Sequence, residues 1–262
     1  MKILFDNVLE NGTYSADNAS ANYPADNLVH AFLHKRYQHL AKVYDTVEIT
    51  LPSTERINCF FLGYSNVGKI IVRFYDASSS LLLTKTLYGE QNVRYTTEGD
   101  RRETTGGDIR VTQDAFGDNS DAVHFSDIYV KKIEIDVYGG AGGYLGGVAA
   151  GVSEDFGVPV SPWTEPYIDN SIVTSSLYGQ TLQQQIDPLR SYTWMLRDLT
   201  RSEINYIREI YYKYGYGARI WIDPFESDHD FMKPFYGRLN APPMITKNGR
   251  RYDIEWEFRE AR

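Results

Sequence analysis

Three stretches of this chain carry residue types and spacings that could do chemistry. Gly63-Tyr-Ser-Asn-Val-Gly-Lys69 matches most of a phosphate-binding loop. Such a loop needs Ser or Thr after the lysine to hold magnesium, and a helix whose N–H groups point at the phosphate. Ile70 follows instead and opens an apolar, β-branched run, so a turn between strands is the expectation. Gly139-Gly-Ala-Gly-Gly-Tyr-Leu-Gly-Gly147 has the glycine density of a dinucleotide loop. No helical pattern follows it and no βαβ alternation surrounds it. It reads as a flexible exit from a domain. Asp223-Pro-Phe-Glu-Ser-Asp-His-Asp230 is the densest acidic cluster, but it lacks the one-in-two carboxylate spacing and the glycine of a calcium loop. A solvated connection between strands is expected there, and no metal or cofactor is assigned.

The histidines are His30, His34, His39, His124 and His229. His30 and His34 could share one helical face, yet no Glu stands between them as in a zinc-protease motif. Segment 27–43 is expected as a short helix or loop packed on a sandwich. There is no Gly-x-Ser-x-Gly elbow and no Cys/His pairing, so no catalytic residue is assigned and an enzyme is not expected. The single cysteine, Cys59, lies in the apolar run Cys-Phe-Phe-Leu and reads as core packing. One cysteine permits no intrachain disulfide, consistent with folding in a reducing compartment.

Bulk properties narrow the classes further. A chain of 262 residues can bury one large core or two modest ones. The net charge of -8 and the absence of long basic runs argue against nucleic acid as a partner. No apolar stretch reaches the roughly 20 residues of a membrane helix, so membrane insertion is not expected. The opening Met-Lys-Ile-Leu-Phe-Asp does not read as a secretion signal. The sequons at Asn11 and Asn18 are therefore treated as chance.

The elements that must position any site are mostly strands. Thr46–Leu51, Arg56–Tyr64, Lys69–Tyr75, Leu81–Leu87 and Lys132–Tyr138 are alternating or continuously apolar runs separated by turn residues. Ile133, Ile135 and Val137 fall on one face of the last of these, with charges on the other. This pattern predicts a β-sandwich. Residues 88–121 are polar and Gly-rich, with one short strand expected near Ile109–Thr112. A glycine-then-proline stretch between Gly139 and Pro166 marks a boundary, giving domains 1–154 and 155–262.

The second part has one clear helix, 201–214. Thr200-Arg-Ser-Glu203 is a capping box, Ile204, Ile207, Ile210, Tyr211 and Tyr214 form an apolar stripe, and Gly215 is placed to end the helix. The surrounding strands are Tyr192–Leu196, Ala218–Asp223, Phe235–Leu239 and Arg251–Glu260. All four tryptophans lie late, and the aromatic residues Trp194, Trp221, Tyr236, Trp256 and Phe258 are the candidates for packing and assembly.

Two resemblances attach to these residues. Ser15-Ala-Asp-Asn-Ala-Ser-Ala-Asn-Tyr-Pro-Ala-Asp-Asn-Leu-Val-His30, with the later Ile-Glu-Ile-Asp-Val strand, resembles discoidin-type, galactose-binding-like domains. That resemblance implies an N-terminal jelly-roll β-sandwich able to contact a glycan. Residues 144–262 resemble minor tail and distal-tail-like baseplate proteins of long-tailed bacteriophages. The resemblance is carried by Tyr144–Gly151, Ser175–Gln180, Pro188–Trp194, Leu199–Glu203, Ile220–Pro224, Tyr236–Leu239 and the closing aromatic-acidic strand. It implies a C-terminal β-barrel-like module with one α-helix that forms homo-oligomers. Tube, hub and tape-measure proteins would then be its partners in a virion tail assembled in the host cytoplasm. The expectation is therefore a mainly β structural component of a tail tip or baseplate. The alternative is a carbohydrate-binding module contacting host-surface glycans.

Overall fold

The computed structural model describes all residues except 31–35, 39, 41–43, 68, 88–91, 94–110, 113–118, 139–142, 158–159, 165–166, 169–171, 176–180, 185–188, 216–218, 227–232 and 261–262. The chain is mainly β. In chain order its strands begin with β1 (Lys2–Leu4), β2 (Thr13–Ala16), β3 (Tyr37–Gln38), β4 (Tyr44–Ser65), β5 (Lys69–Tyr75), β6 (Leu81–Leu87), β7 (Asn92–Val93) and β8 (Val111–Thr112). They continue with β9 (Asn119–Tyr138), β10 (Tyr144–Gly151), β11 (Glu154–Asp155), β12 (Val160–Thr164), β13 (Tyr167–Ile168), β14 (Ile172–Ser175) and β15 (Thr181–Gln184). The last are β16 (Leu189–Leu199), β17 (Arg219–Asp223), β18 (Phe235–Leu239), β19 (Met244–Asn248) and β20 (Arg251–Glu260), with helix α1 (Arg201–Tyr214) between β16 and β17.

The chain divides into two compact units, one made of 4–154 and 225–235, the other of 1–3, 155–224 and 236–262. The first is an antiparallel sheet of order β3-β10-β4-β9-β5-β6, with β2 added on β4. Two expected strands, Thr46–Leu51 and Arg56–Tyr64, are one 22-residue strand, β4. Residues 52–55, which lie between those two runs, fall at a register shift against β9, between the Thr50 and Glu55 pairings. There the sheet bends and folds over itself. Phe60, beyond the bend, meets Phe74 of β5 edge to face at 6.0 Å, and both are fully buried. One core therefore joins residues from before the bend (Val47, Ile49) with residues from after it (Ile57, Leu62). This is the sandwich, and its layers share their strands.

The alternation expected along Lys132–Tyr138 holds: Ile133, Ile135 and Val137 are fully buried. The glycine-rich run behaves differently from expectation. Tyr144–Gly151 is not an exit from the domain but a strand of this sheet, pairing β4 from Leu145↔Ser65 to Gly151↔Cys59. Small residues are needed because the neighbouring backbones come close. A Cβ on Gly151 would sit 2.5 Å from the Asp6 carbonyl oxygen. Cys59 is buried and donates to the Gly151 carbonyl at 3.3 Å.

The second unit is a curled sheet of order β11-β1-β17-β18-β20-β16-β12, with β13 on β16 and β19 on β20. Its first three residues come from the start of the chain, since β1 supplies the strand between β11 and β17. Helix α1 begins with the predicted capping box: Glu203 N–H donates to Thr200 Oγ1 at 3.3 Å, and Thr200 N–H donates to the Glu203 carboxylate at 2.6 Å. Ile204, Ile207 and Ile210 of the expected stripe are buried, while Tyr211 and Tyr214 are only partly so. Gly215 ends the helix at φ +71°, a backbone that L side chains rarely adopt.

Candidate functional site

Trp194, Trp221, Tyr236, Trp256 and Phe258 are all at most 6% exposed. Their rings pack on one another. Trp194 lies 5.0 Å from Phe258, Trp256 lies 5.4 Å from Phe258, and Trp221 lies 5.2 Å from Tyr236, centre to centre. Trp194 and Trp256 are also direct cross-strand partners. These five side chains fill the inside of the second unit.

The chemistry-bearing stretches fall as follows. Gly63–Ser65 end β4 and Lys69 opens β5 rather than a helix, so the segment joins two strands. His30 ends a short 3-10 helix, Ala25–His30, and His124 lies in β9. His34, His39 and His229 lie outside the described residues, as do residues 227–230 of the acidic cluster. Asp223 is fully buried at the end of β17. Among the described residues no group of His, Cys, Asp and Glu could hold a metal ion.

What the fold does gather is a set of tyrosines and cations at one end of the sandwich. β4 begins there with Tyr44 and ends there with Ser65. β9 ends there with Tyr138, β5 starts with Lys69, and β10 starts with Tyr144. Tyr44 and Tyr138 are cross-strand partners, and Lys69 is the partner of Tyr138 on its other side. The Tyr44 and Tyr138 rings stack at 5.4 Å and 24°, and the Lys69 ammonium lies 5.3 Å from the centre of the Tyr138 ring. Tyr44 is 51% exposed, so one of its sides is offered to solvent.

A second aromatic–cation group stands on the neighbouring strand. The Arg36 guanidinium lies 4.4 Å from the centre of the Tyr144 ring and 5.3 Å from that of Tyr23. Backbone bonds fix these three residues. Gln38 N–H donates to the Tyr23 carbonyl at 3.1 Å, Asn27 Nδ2 donates to the Arg36 carbonyl at 3.1 Å, and Tyr144 pairs Gln38 in register. Asn66, in the connection leading to Lys69, accepts from Tyr144 N–H at 2.7 Å and so ties the two groups together.

Beneath them lies a buried polar centre. Asp45 is 2% exposed, and its carboxylate accepts from the Tyr37 hydroxyl, from Asn18 Nδ2 at 3.2 Å and from Thr46 N–H at 3.0 Å. Burial first, and then the hydrogen bond to Asp45, push the Tyr37 phenol far above its ordinary range, so it remains a donor at any physiological pH. A buried charge with three donors is satisfied and rigid. It anchors the loop carrying Arg36 to the first residues of β4.

The sheet face beside this end is a lattice of paired charges. Arg73 donates to Asp136 and lies 3.6 Å from Glu134, while Lys132 reaches Glu134 at 2.8 Å and Glu48 at 3.3 Å. Tyr75 donates its hydroxyl to Glu134 at 2.7 Å. Burial alone would raise the Glu134 carboxyl, but the bonds from Lys132 and Tyr75 and the charges of Lys132 and Arg73 outweigh it and hold it below the usual range.

Sequence reasoning missed this end. Its only signal was tyrosine or a cation at the limits of predicted strands, as in Ile-Glu-Ile-Asp-Val-Tyr138 and Lys69-Ile-Ile-Val. With 21 tyrosines in the chain that signal is weak. Arg36 carried none, because only the pairing of β3 with β10 sets it against Tyr144.

No protein-family model matches the chain, and no curated protein matches it. Solved structures do. The lectin domain of lectinolysin, in complex with Lewis B antigen, is similar at 10% identity and a TM-score of 0.41, over 57% of this chain and 98% of that one. A fucose-binding module of Streptococcus pneumoniae is similar at 13% identity and a TM-score of 0.40, over 55% and 96%. A chitosan-binding module from a Paenibacillus sp. IK-5 chitosanase/glucanase is similar at 16% identity and a TM-score of 0.39, over 55% and 98%.

Proposed function

We propose that the chain is a carbohydrate-binding protein whose N-terminal sandwich takes a glycan at the end formed by Tyr23, Arg36, Tyr44, Lys69, Tyr138 and Tyr144. The observation that carries this reading is the exposed Tyr44 ring, stacked on Tyr138, whose own ring meets the Lys69 ammonium. A sugar ring has an apolar C–H face and a rim of hydroxyls. Recognising it takes a planar apolar surface with convergent polar groups on a rigid frame, which is the general form of a small-ligand site. The Asp45 centre supplies the rigidity. Binding of the full chain to an array of neutral and acidic oligosaccharides tests the reading. Wild type should bind at least one, and Tyr44→Ala should lose that binding while keeping the wild-type circular dichroism spectrum. A folded wild-type protein that binds no glycan overturns it.

A second reading, a component of a phage tail tip, is favoured by the surface of α1. Its buried isoleucines are already used inside, yet Tyr212 is 82% exposed. A large aromatic held out from a packed helix suits assembly with further copies or with tail proteins. In this reading the N-terminal sandwich is displayed outward and contacts the host glycan. Sedimentation of the full chain checks it: oligomers that weaken in Tyr212→Glu support it, and a monomer at every concentration removes the homo-oligomer.

A further inference from the structure

We infer that the glycan at this end is acidic, carrying a carboxylate, and that Arg36 and Lys69 select it; this rests on the glycan-binding reading above. Several other cations of the sandwich are paired with carboxylates, while Lys131 reaches the Pro52 carbonyl. Arg73 is neutralised by Asp136 and Glu134, Lys132 by Glu134 and Glu48, and Arg56 by Asp127 at 2.7 Å. Arg36 and Lys69 are treated differently. Among the described residues each meets only tyrosine rings, and neither meets a carboxylate.

Asp45, the carboxylate beneath this end, is buried and already accepts three hydrogen bonds. Among the described residues the end therefore presents two positive charges without a counter-charge, in a chain whose net charge is -8. A tyrosine ring attracts a cation but neither neutralises it nor occupies its N–H donors. The Arg36 guanidinium has five such donors, and none makes a hydrogen bond among the described residues. Its planar fork fits a carboxylate in a two-point contact that a hydroxyl cannot reproduce, and charge-assisted bonds are about twice as strong as neutral ones. The acidic balance of the whole chain does not prevent this. Screening limits surface charges to about 8 Å at physiological salt, so the local cations set the field at the site.

Calorimetric titration of the full chain with matched sugars tests the inference. The pairs are tri-galacturonic acid against its methyl ester, and sialyllactose against its methyl ester; each pair differs in carrying or lacking the carboxylate charge. The acidic member of at least one pair should bind about tenfold tighter than its neutral partner, a gap of about 1.4 kcal/mol. Arg36→Gln and Lys69→Gln should each narrow that gap, and 0.5 M salt should narrow it too. Arg56→Gln, whose cation is neutralised elsewhere, should leave the gap unchanged. Equal affinity for acid and neutral sugar overturns the acidic selection and leaves the glycan site standing. No binding to any of the four by a folded chain, together with an empty array, removes both.

Discussion

Gly146 of β10 lies against Tyr64 of β4 so closely that a Cβ on the glycine would stand 2.6 Å from the tyrosine Cβ and 3.1 Å from its carbonyl oxygen. Tyr64 itself is fully buried, with φ +55°. The two irregularities answer each other: the tyrosine backbone turns into space that only a glycine leaves open. Gly146→Ala should therefore force β10 and β4 apart near the end of their pairing and destabilise the first unit by about 1–3 kcal/mol. A urea titration followed by tyrosine fluorescence reads this. A loss within about 0.5 kcal/mol, the ordinary spread for surface substitutions, contradicts the packing described.

Phe60→Ala should be among the most damaging single changes. The ring is fully buried and meets Phe74 across the bend of the sheet. Truncating such a ring costs about 3–5 kcal/mol through lost burial and the cavity left behind. Thermal unfolding in parallel with Leu82→Ala, where the native side chain is 41% exposed, separates core loss from surface loss.

The polar centre beneath the proposed site is tested by Tyr37→Phe. The change keeps the ring and removes one donor from the buried Asp45 carboxylate. A cost of about 1–3 kcal/mol is expected, since a charged acceptor loses a bond that water cannot replace. Glycan affinity should fall as well, because the loop bearing Arg36 loses an anchor. Unfolding free energy and titration calorimetry on the same sample read both effects.

The charge lattice gives a pH prediction. Glu134 is held below its ordinary range when folded, so the stabilisation it contributes is fully present above the unfolded carboxylate pKa of about 4.3 and is lost as pH falls through the folded value. Glu203, lowered first by the hydrogen bonds from Thr200, acts in the same direction in the second unit. Denaturant midpoints from pH 6 down to pH 3 should fall less steeply in Glu134→Gln than in wild type. An unchanged acid slope removes this group as a cause.

Thr200→Ala removes the cap of α1 and should cost about 1 kcal/mol, seen as earlier loss of helical signal in circular dichroism. Thr200→Asn, which keeps an accepting oxygen at the cap, should recover most of it.

How much of this was legible in the sequence depends on the range over which the deciding physics acts. The cap at Thr200, the Ile204–Ile207–Ile210 stripe and the alternation from Ile133 to Val137 are local, and the structure places them as the pattern implied. The joining of two expected strands into β4 was not legible, because the two runs read as separate unless β9 is seen pairing with both. The glycine run at 144–151 was misread for a related reason. Glycine signals flexibility in isolation, while here it permits close approach of Asp6 and Tyr64, which are distant in sequence. The Tyr23, Arg36 and Tyr144 group depends on three segments meeting, and no spacing rule reports that.

The shared strands of the sandwich have a kinetic consequence. Thr46 and Asp136, joined by a side-chain hydrogen bond, are 90 residues apart, and the β4–β9 pairing runs from Tyr44↔Tyr138 to Ser65↔Asn119. Neither layer can form without the other, because both are drawn from the same two strands. The search for that pairing must precede most of the stabilisation it brings, which places the first unit among slowly folding, high-contact-order topologies. During that interval the long, alternating edges of β4 and β9 stand open. A nascent chain would be most vulnerable to intermolecular strand pairing before residue 138 has been synthesised.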